Sequence, residues 1–147
     1  MNRSITVILI SLIFFINFAH SGETYIPNEN EELNGTWVNP DYNTSTIAAK
    51  IVNNPDGSRV TYGTTDSNVI RSRGEATIKD KWADAEGNVW YKVVSEYKLG
   101  GLSSTYYSLI KVSNSGKTLE YVSSRAGYPK ELSEKHPDYH IYTRGHK

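Results

Sequence analysis

Short segments rich in β-branched and aromatic residues recur along this chain, and residues typical of tight turns separate them. The clearest turns are Asn54–Gly57, Glu86–Asn88 and Asn114–Gly116. Asn, Asp and Gly tolerate the backbone angles that tight hairpin turns require, so this spacing predicts a series of β-hairpins. It leaves no room for a long helix or for α/β alternation. The predicted strands are Leu33–Asn39, Thr46–Asn53, Arg59–Thr65, Glu75–Asp84, Asn88–Leu99, Ser103–Ser113, Lys117–Ser124 and Tyr139–Arg144.

The short joints favour strands that pair in chain order. A meander of this kind can close into an up-and-down barrel, which removes the exposed edges of an open sheet. A two-sheet sandwich is the alternative, but it needs longer connections that cross between sheets. We therefore expect an all-β, eight-stranded antiparallel barrel. We also expect one short helical turn within Tyr128–Lys135, before the last strand, because Pro129 lies near its start and acidic residues follow early.

Alternation along the strands predicts which side chains face the barrel interior. In the fifth strand Tyr91, Val93, Ser95 and Tyr97 share one face, and Trp90 is expected to point outward. The same pattern turns inward Ile47, Ala49, Ile51, Val60, Tyr62, Ile78, Asp80, Trp82, Tyr106, Ser108, Ile110, Val112, Leu119 and Tyr121. Many of these residues are tyrosines, whose hydroxyls need hydrogen-bond partners or a polar neighbour when they are buried.

The first residues have the features of a secretory signal peptide, which we assign to Met1–Ser21. A basic start at Arg3 precedes an apolar run over Ile5–Phe18, which is shorter than the ~20 residues that span a bilayer. A flexible lead-in over Gly22–Glu32 and one domain over residues 33–147 are expected to follow. Since the chain has no cysteine for lipid attachment, we expect a periplasmic or secreted protein without a membrane anchor.

The charges of the chain are balanced, with 16 Lys and Arg residues against 16 Asp and Glu residues. Removal of the leader, which holds one basic residue, leaves a formal charge near −1. Nucleic acids and anionic membranes usually bind proteins with a basic excess, so neither is expected as a partner. We expect a monomer.

The first strand contains a G-x-W motif in Leu33-Asn34-Gly35-Thr36-Trp37-Val38. With an eight-stranded meander, this motif resembles the lipocalin (calycin) superfamily and its small bacterial lipocalin-like relatives. The resemblance implies that Trp37 closes the barrel floor and that a cation from the last strand packs across its ring, for which Arg144 is the candidate. The T-D-Y signature of lipocalins is absent from the joint Val112–Gly116, and avidin-like barrels, which also begin with a G-T-W-like strand, are an alternative.

A small eight-stranded barrel is either filled by side chains or holds one ligand at its mouth. Rings, hydroxyls and small residues on the inner face suit a small hydrophobic or amphipathic molecule with a few polar groups. The predicted ligand-binding residues are Tyr62, Tyr91, Tyr97, Tyr106, Ser108, Tyr121, Asp80 and Trp82. The alternative is a solid barrel that acts as an interaction or inhibitor module on a protein partner, through exposed loops such as Asp66–Gly74 and Arg125–Asp138.

Catalytic motifs are missing from the sequence. There is no G-x-S-x-G, H-E-x-x-H, P-loop or G-x-G-x-x-G pattern, so we expect neither an enzyme nor a cofactor. A barrel enzyme that uses Asp80 as an inner carboxylate is the remaining alternative. His136, Asp138, His140 and His146 lie close together, but Pro137 prevents a helical arrangement of the first histidines, and no metal site is predicted.

Overall fold

The computed structural model describes residues 31–41, 48–63, 68–99 and 101–145. Its strands are β1 (Gly35–Val38), β2 (Lys50–Asn53), β3 (Ser58–Tyr62), β4 (Ile70–Ala83), β5 (Val89–Leu99), β6 (Leu102–Val112), β7 (Thr118–Ser124) and β8 (Tyr139–Arg144). Each strand pairs antiparallel with the next, and β8 pairs with β1 to close the barrel. The predicted meander barrel is confirmed, and the sandwich is excluded.

Several predictions fall on residues outside this description. The signal peptide Met1–Ser21 and most of the lead-in, Gly22–Asn30, are among them, as are Thr46, Ile47 and His146. The predicted loop Asp66–Gly74 is described only from Asn68 onward, and this prediction is wrong for Ile70–Gly74, which pair with β3 as the first residues of β4.

No helix is present in the described part of the chain, so the predicted helical turn over Tyr128–Lys135 is wrong. This segment runs without regular structure along the outside of β6, where the ring of Tyr128 packs edge-on against Tyr107 at 5.3 Å. One or two helical turns have little stability of their own, so the packing of a side chain can decide the local conformation. Within the described ranges, no helix is long and apolar enough to cross a membrane.

The apolar core fills the half of the barrel that carries the β2–β3, β4–β5 and β6–β7 turns, which we call the closed end. Its fully buried side chains include Trp37, Tyr91, Val93, Ile110, Val112 and Leu119, and the buried Tyr142 lies where this core meets the other half of the barrel. The inward faces predicted for β5, β6 and β7 are therefore confirmed. The other half, the open end, carries the β1–β2, β3–β4, β5–β6 and β7–β8 connections.

The predicted inner face of β3 is wrong. Thr61 lies opposite Ile51 and Arg59 lies opposite Asn53, and directly opposed residues share a face of the sheet. Arg59 and Thr61 are buried inside, whereas Val60 and Tyr62 face outward, where the ammonium of Lys50 lies 4.0 Å from the centre of the Tyr62 ring. The prediction from alternation failed because the face of β3 that points into the barrel is polar and the face that points outward is the more apolar one.

A β-bulge overturns the predicted face of the second half of β4. Ile78 is opposite Val93, but the register then shifts, so that Asp80 is opposite Lys92 and Lys81 is opposite Tyr91. The extra residue of a bulge reverses the alternation beyond it. Lys81 therefore points to the closed end of the interior, and Asp80 and Trp82 lie on the outer face. Asp80 thus cannot serve as an inner carboxylate.

Candidate ligand cavity

A cavity of about 580 Å³ occupies the open half of the barrel. Its lining combines aromatic rings, small hydroxyls, two aliphatic residues and a few charged side chains. The lining residues are Ala48, Ile51, Thr61, Arg71, Ser72, Tyr97, Ser104, Tyr106, Tyr121, Ser123, Arg125, Asp138, His140 and Tyr142. The described barrel is therefore hollow at this end, with a volume in the range of roughly 300–1,000 Å³ that small-molecule sites occupy.

Three of the predicted ligand-binding residues line this cavity: Tyr97, Tyr106 and Tyr121. They come from the inner faces of β5, β6 and β7, and the rings of Tyr97 and Tyr106 meet edge-on at 5.9 Å. Ser108 lies just beneath the cavity, fully buried, and its hydroxyl donates a hydrogen bond of 3.2 Å to the Tyr121 oxygen. Ser108 therefore supports the lining without forming part of it.

The other predicted ligand-binding residues lie elsewhere. Tyr91 is buried at the closed end, where its hydroxyl donates to the carboxylates of Glu31 and Glu32. Tyr62, Asp80 and Trp82 are on the outer face, for the reasons given by the β3 register and the β4 bulge. None of these four side chains is part of the cavity lining.

The charged residues of the site were not predicted from the sequence. Arg59 on β3 was assigned to the wrong face, and Arg125 follows the end of β7, beyond the reach of a strand pattern. Alternation along β8 places His140 and Tyr142 on the same face as Arg144, which was predicted to close the barrel floor. Both residues line the cavity. That alternation is the one signal that could have identified them.

Arg59 is next to the cavity but not part of its lining: it lies two residues before Thr61 on the inner face of β3 and is only 2% exposed. Its Nε donates to Oδ1 of Asn53 at 2.6 Å, and its Nη1 donates to Oγ of Ser95 at 2.8 Å. Asn53 is held in turn by a bond from its amide to the carbonyl of Leu33 at 3.0 Å. This chain of hydrogen bonds fixes the guanidinium between the apolar core and the cavity.

Two of the tyrosines that line the cavity, Tyr97 and Tyr142, stay neutral at physiological pH, because their pKa values are raised. Burial raises the pKa of Tyr97, although its interaction with the Arg59 guanidinium lowers it in part. Burial likewise raises the pKa of Tyr142, whose hydroxyl donates to the carbonyl of Ala48 at 3.2 Å. Neutral phenols offer a ligand hydrogen-bond donors and acceptors without adding negative charge.

The rim of the cavity carries further polar groups. Arg125 stacks its guanidinium 5.1 Å from the centre of the Tyr106 ring and donates from Nη2 to Oγ of Ser104 at 3.0 Å. Burial lowers the pKa of His140, although the nearby Asp138 raises it in part. The imidazole is therefore mainly uncharged at neutral pH.

The floor of the barrel is closed by Trp37 and Arg144, as the resemblance implied. Trp37 is completely buried, and its Nε1 donates to the carbonyl of Leu33 at 2.9 Å. The guanidinium of Arg144 lies 4.0 Å from the centre of the Trp37 ring. Gly35 has φ of +110°, and a Cβ there would lie 3.0 Å from Nη1 of Arg144, so a glycine is required at this position.

A carboxylate pair packs over the same floor. Glu31 and Glu32, which belong to the predicted lead-in, both contact Nζ of Lys81, at 2.7 and 3.1 Å. Burial raises the pKa of Glu32, but a backbone hydrogen bond and those from Tyr91 and Lys81 lower it overall. These residues seal the closed end, so the cavity opens at the opposite end of the barrel.

An outer groove lies across β4, β5 and β6. It is lined by Trp82, Asp84, Trp90, Lys92, Leu109, Tyr128, Pro129, Lys130, Glu131 and Leu132. Trp82 and Trp90 stack at 5.9 Å with an angle of 13° between their rings, and Trp82 is 38% exposed. The predicted outward position of Trp90 is confirmed.

This chain was compared with protein-family models, curated proteins and solved structures. No family model, no curated protein and no solved structure matches this chain. The closed eight-stranded barrel is consistent with a lipocalin-like fold. Within the described residues, no group of three or more His, Asp or Glu side chains is placed to hold a metal ion.

Proposed function

We propose that this protein is an exported, lipocalin-like carrier that binds a small, partly apolar molecule in the open half of its barrel. The observation that carries the proposal is the cavity of about 580 Å³ above a sealed floor. Its walls provide aromatic rings for an apolar body and hydroxyls for a few polar groups. The role is that of a monomeric periplasmic or secreted binding protein, and no catalytic step is proposed.

Two features of the sequence support this assignment. The G-x-W motif and the Arg144 cation stand at the positions where lipocalin-like barrels carry them. The segment Met1–Ser21 has the composition of a secretory leader, and a carrier outside the cytoplasm needs export. Membership of the lipocalin superfamily is part of the proposal.

The proposal is tested with a neutral fluorescent probe, N-phenyl-1-naphthylamine, which binds apolar cavities. We expect saturable binding that Tyr97→Ala combined with Tyr106→Ala weakens at least about tenfold, because both rings leave the cavity wall. Trp82→Ala is the matched control, since Trp82 is aromatic but lies on the outer face. Unchanged binding in the double variant, with loss in the Trp82 variant, would place the site in the outer groove and refute the proposal.

A second candidate is a module that binds a protein partner through its outer face. The exposed stack of Trp82 on Trp90 supports it, because large exposed aromatic patches often mark interaction sites. Native mass spectrometry of the protein purified from the periplasm separates the two functions. A small molecule released on denaturation supports the carrier, whereas a protein companion that is lost with Trp82→Ala supports the module.

A further inference from the structure

We propose that the cavity selects an anionic amphiphile and that the ligand's carboxylate is bound at the floor, toward Arg59. This inference rests on the proposed function, since it names the class of ligand for the same cavity. The body of the ligand is hydrocarbon or aromatic, and it extends from the floor toward the mouth.

The charge of Arg59 is uncompensated within the described part of the chain. Its two hydrogen-bond acceptors, the Asn53 amide oxygen and the Ser95 hydroxyl, are neutral. None of the ion pairs within the described part of the chain includes this guanidinium. A buried charge without a counter-charge is costly, and proteins normally pair such groups. A bound carboxylate would supply the missing negative charge.

Arg59 is adjacent to residues that line the cavity. Thr61, which lines the cavity, is two residues further along the same inner face of β3, a distance of about 7 Å along a strand. Tyr97 also lines the cavity, and its hydroxyl interacts with the guanidinium. A carboxylate that accepts a hydrogen bond from Tyr97 therefore lies next to the positive charge.

The described cavity wall carries more basic than acidic side chains. Arg71 and Arg125 both line the cavity, and Asp138 is the only carboxylate among the described lining residues. His140 adds little charge at neutral pH. The excess of cations favours entry of an anion, since a cleft with low-dielectric walls concentrates the field of its charged groups.

The apolar part of the ligand has a place above the floor. The rings of Tyr106, Tyr121 and Tyr142 and the side chains of Ala48 and Ile51 form this part of the wall. The rings of Tyr121 and Tyr142 meet edge-on at 6.4 Å, so they present a continuous aromatic surface. A purely polar anion would leave this surface unused.

The experiment compares two probes that differ only in the head group, decanoate and 1-decanol. Each displaces N-phenyl-1-naphthylamine from the purified protein after bound lipid has been removed. We expect decanoate to bind at least about tenfold more tightly, because its ionised carboxylate can accept charge-assisted hydrogen bonds that the neutral alcohol cannot match. Arg59→Gln should abolish this preference and keep the binding of the neutral probe. Arg125→Gln, the control at the rim, should retain most of the preference.

The failures of the inference and of the proposed function are distinguishable. Equal or tighter binding of 1-decanol overturns the inference but leaves the carrier function intact. Absence of binding by the neutral probe and by both ligands overturns the carrier function itself. A preference that Arg125→Gln abolishes and Arg59→Gln keeps places the carboxylate at the rim, which also overturns the inference.

A measurement on the unsubstituted protein covers the case in which Arg59→Gln does not fold. Decanoate labelled with ¹³C at its carboxyl group is titrated while bound and followed by NMR. A guanidinium neighbour stabilises the ionised form, so the carboxyl pKa should be lower in the complex than in free decanoate. A raised carboxyl pKa would show that the head group is buried away from Arg59 and would refute the proposal.

Discussion

The guanidinium of Arg144 covers the ring of Trp37 at 4.0 Å and also donates hydrogen bonds to three main-chain carbonyls. Nε reaches Gly116 at 2.7 Å, Nη1 reaches Asn34 at 2.7 Å, and Nη2 reaches Glu32 at 2.6 Å. One side chain from the last strand thereby joins the segment before β1 to the β6–β7 turn. It holds together the two ends of the sheet that must meet for the barrel to close.

Arg144→Gln should lower the free energy of unfolding by about 2–4 kcal/mol, because it removes the cation–π contact and most of these charged hydrogen bonds. Arg144→Lys should recover only part of the loss, since an ammonium lacks the planar fork that reaches several acceptors at once. Urea denaturation measures both. Arg73→Gln, on the exposed outer face of β4, is the control and should change stability little. An equal loss in both Gln variants would contradict the assigned role.

Gly35→Ala should destabilise the barrel by about 1–3 kcal/mol, because φ is +110° and the new methyl group would press on Nη1 of Arg144 at 3.0 Å. Gly127→Ala is the matched control: φ is +139°, but nothing lies within 4 Å of the added Cβ. Thermal or urea unfolding gives the difference. If steric contact with Arg144 contributes, the cost of Gly35→Ala should be smaller in the Arg144→Gln background. Additive losses would show that backbone strain alone is responsible.

Lys81→Met should cost about 2–3 kcal/mol, because it leaves the Glu31 carboxylate without its cation. The Glu31 side chain is 0% exposed, and its Oε1 has no hydrogen-bond partner among the described residues. Adding Glu31→Gln to Lys81→Met should restore part of the stability, since the buried charge is then removed as well. Lys79→Met at the bulge, where the side chain is exposed, is the control. Urea denaturation that showed equal losses at positions 79 and 81 would contradict the closed-end ion pair.

Asp84 should titrate with a pKa of about 2, well below its ordinary value of 3.8. The main cause is the hydrogen bond of 2.7 Å from Nε1 of Trp90, followed by that of 2.9 Å from the Asn88 amide. Since the folded pKa is the lower one, the stabilisation is present above pH 3.8 and is lost as the pH falls toward 2. Carboxyl NMR on the intact protein measures the midpoint.

Trp90→Phe should raise the Asp84 midpoint toward 3.8, because phenylalanine cannot donate the hydrogen bond. Trp82→Phe is the control. It alters the stacked partner of Trp90 without removing the indole donor, so the midpoint should stay near 2. A midpoint that stays at 2 in the Trp90 variant would assign the shift to Asn88.

The strand prediction succeeded where turn residues bracket long alternating runs. The predicted Tyr139–Arg144 matches β8, β5 begins one residue after its predicted start, and β6 begins and ends one residue before its prediction. β4 begins at Ile70, five residues before its predicted start, because Arg71, Arg73 and Gly74 give no apolar signal. A glycine is required at position 74, although it lies inside a strand, because a Cβ there would lie 2.2 Å from the Glu96 carbonyl oxygen.

The sequence by itself determined the class of the fold. Turn chemistry and period-two alternation specify hairpins in chain order, and the G-x-W motif with Arg144 identified the residues that close the floor. Tertiary structure alone decided the composition of the site. A single bulge residue at position 79 reverses the alternation that follows, and it exchanges Asp80 and Trp82 for Lys81 inside the barrel. Arg59 faces inward, where Asn53 of the neighbouring strand β2 and Ser95 of β5, further around the barrel, accept its hydrogen bonds. Such partners are brought together by register and closure, which depend on contacts distant in sequence, and alternation within one strand does not contain that information.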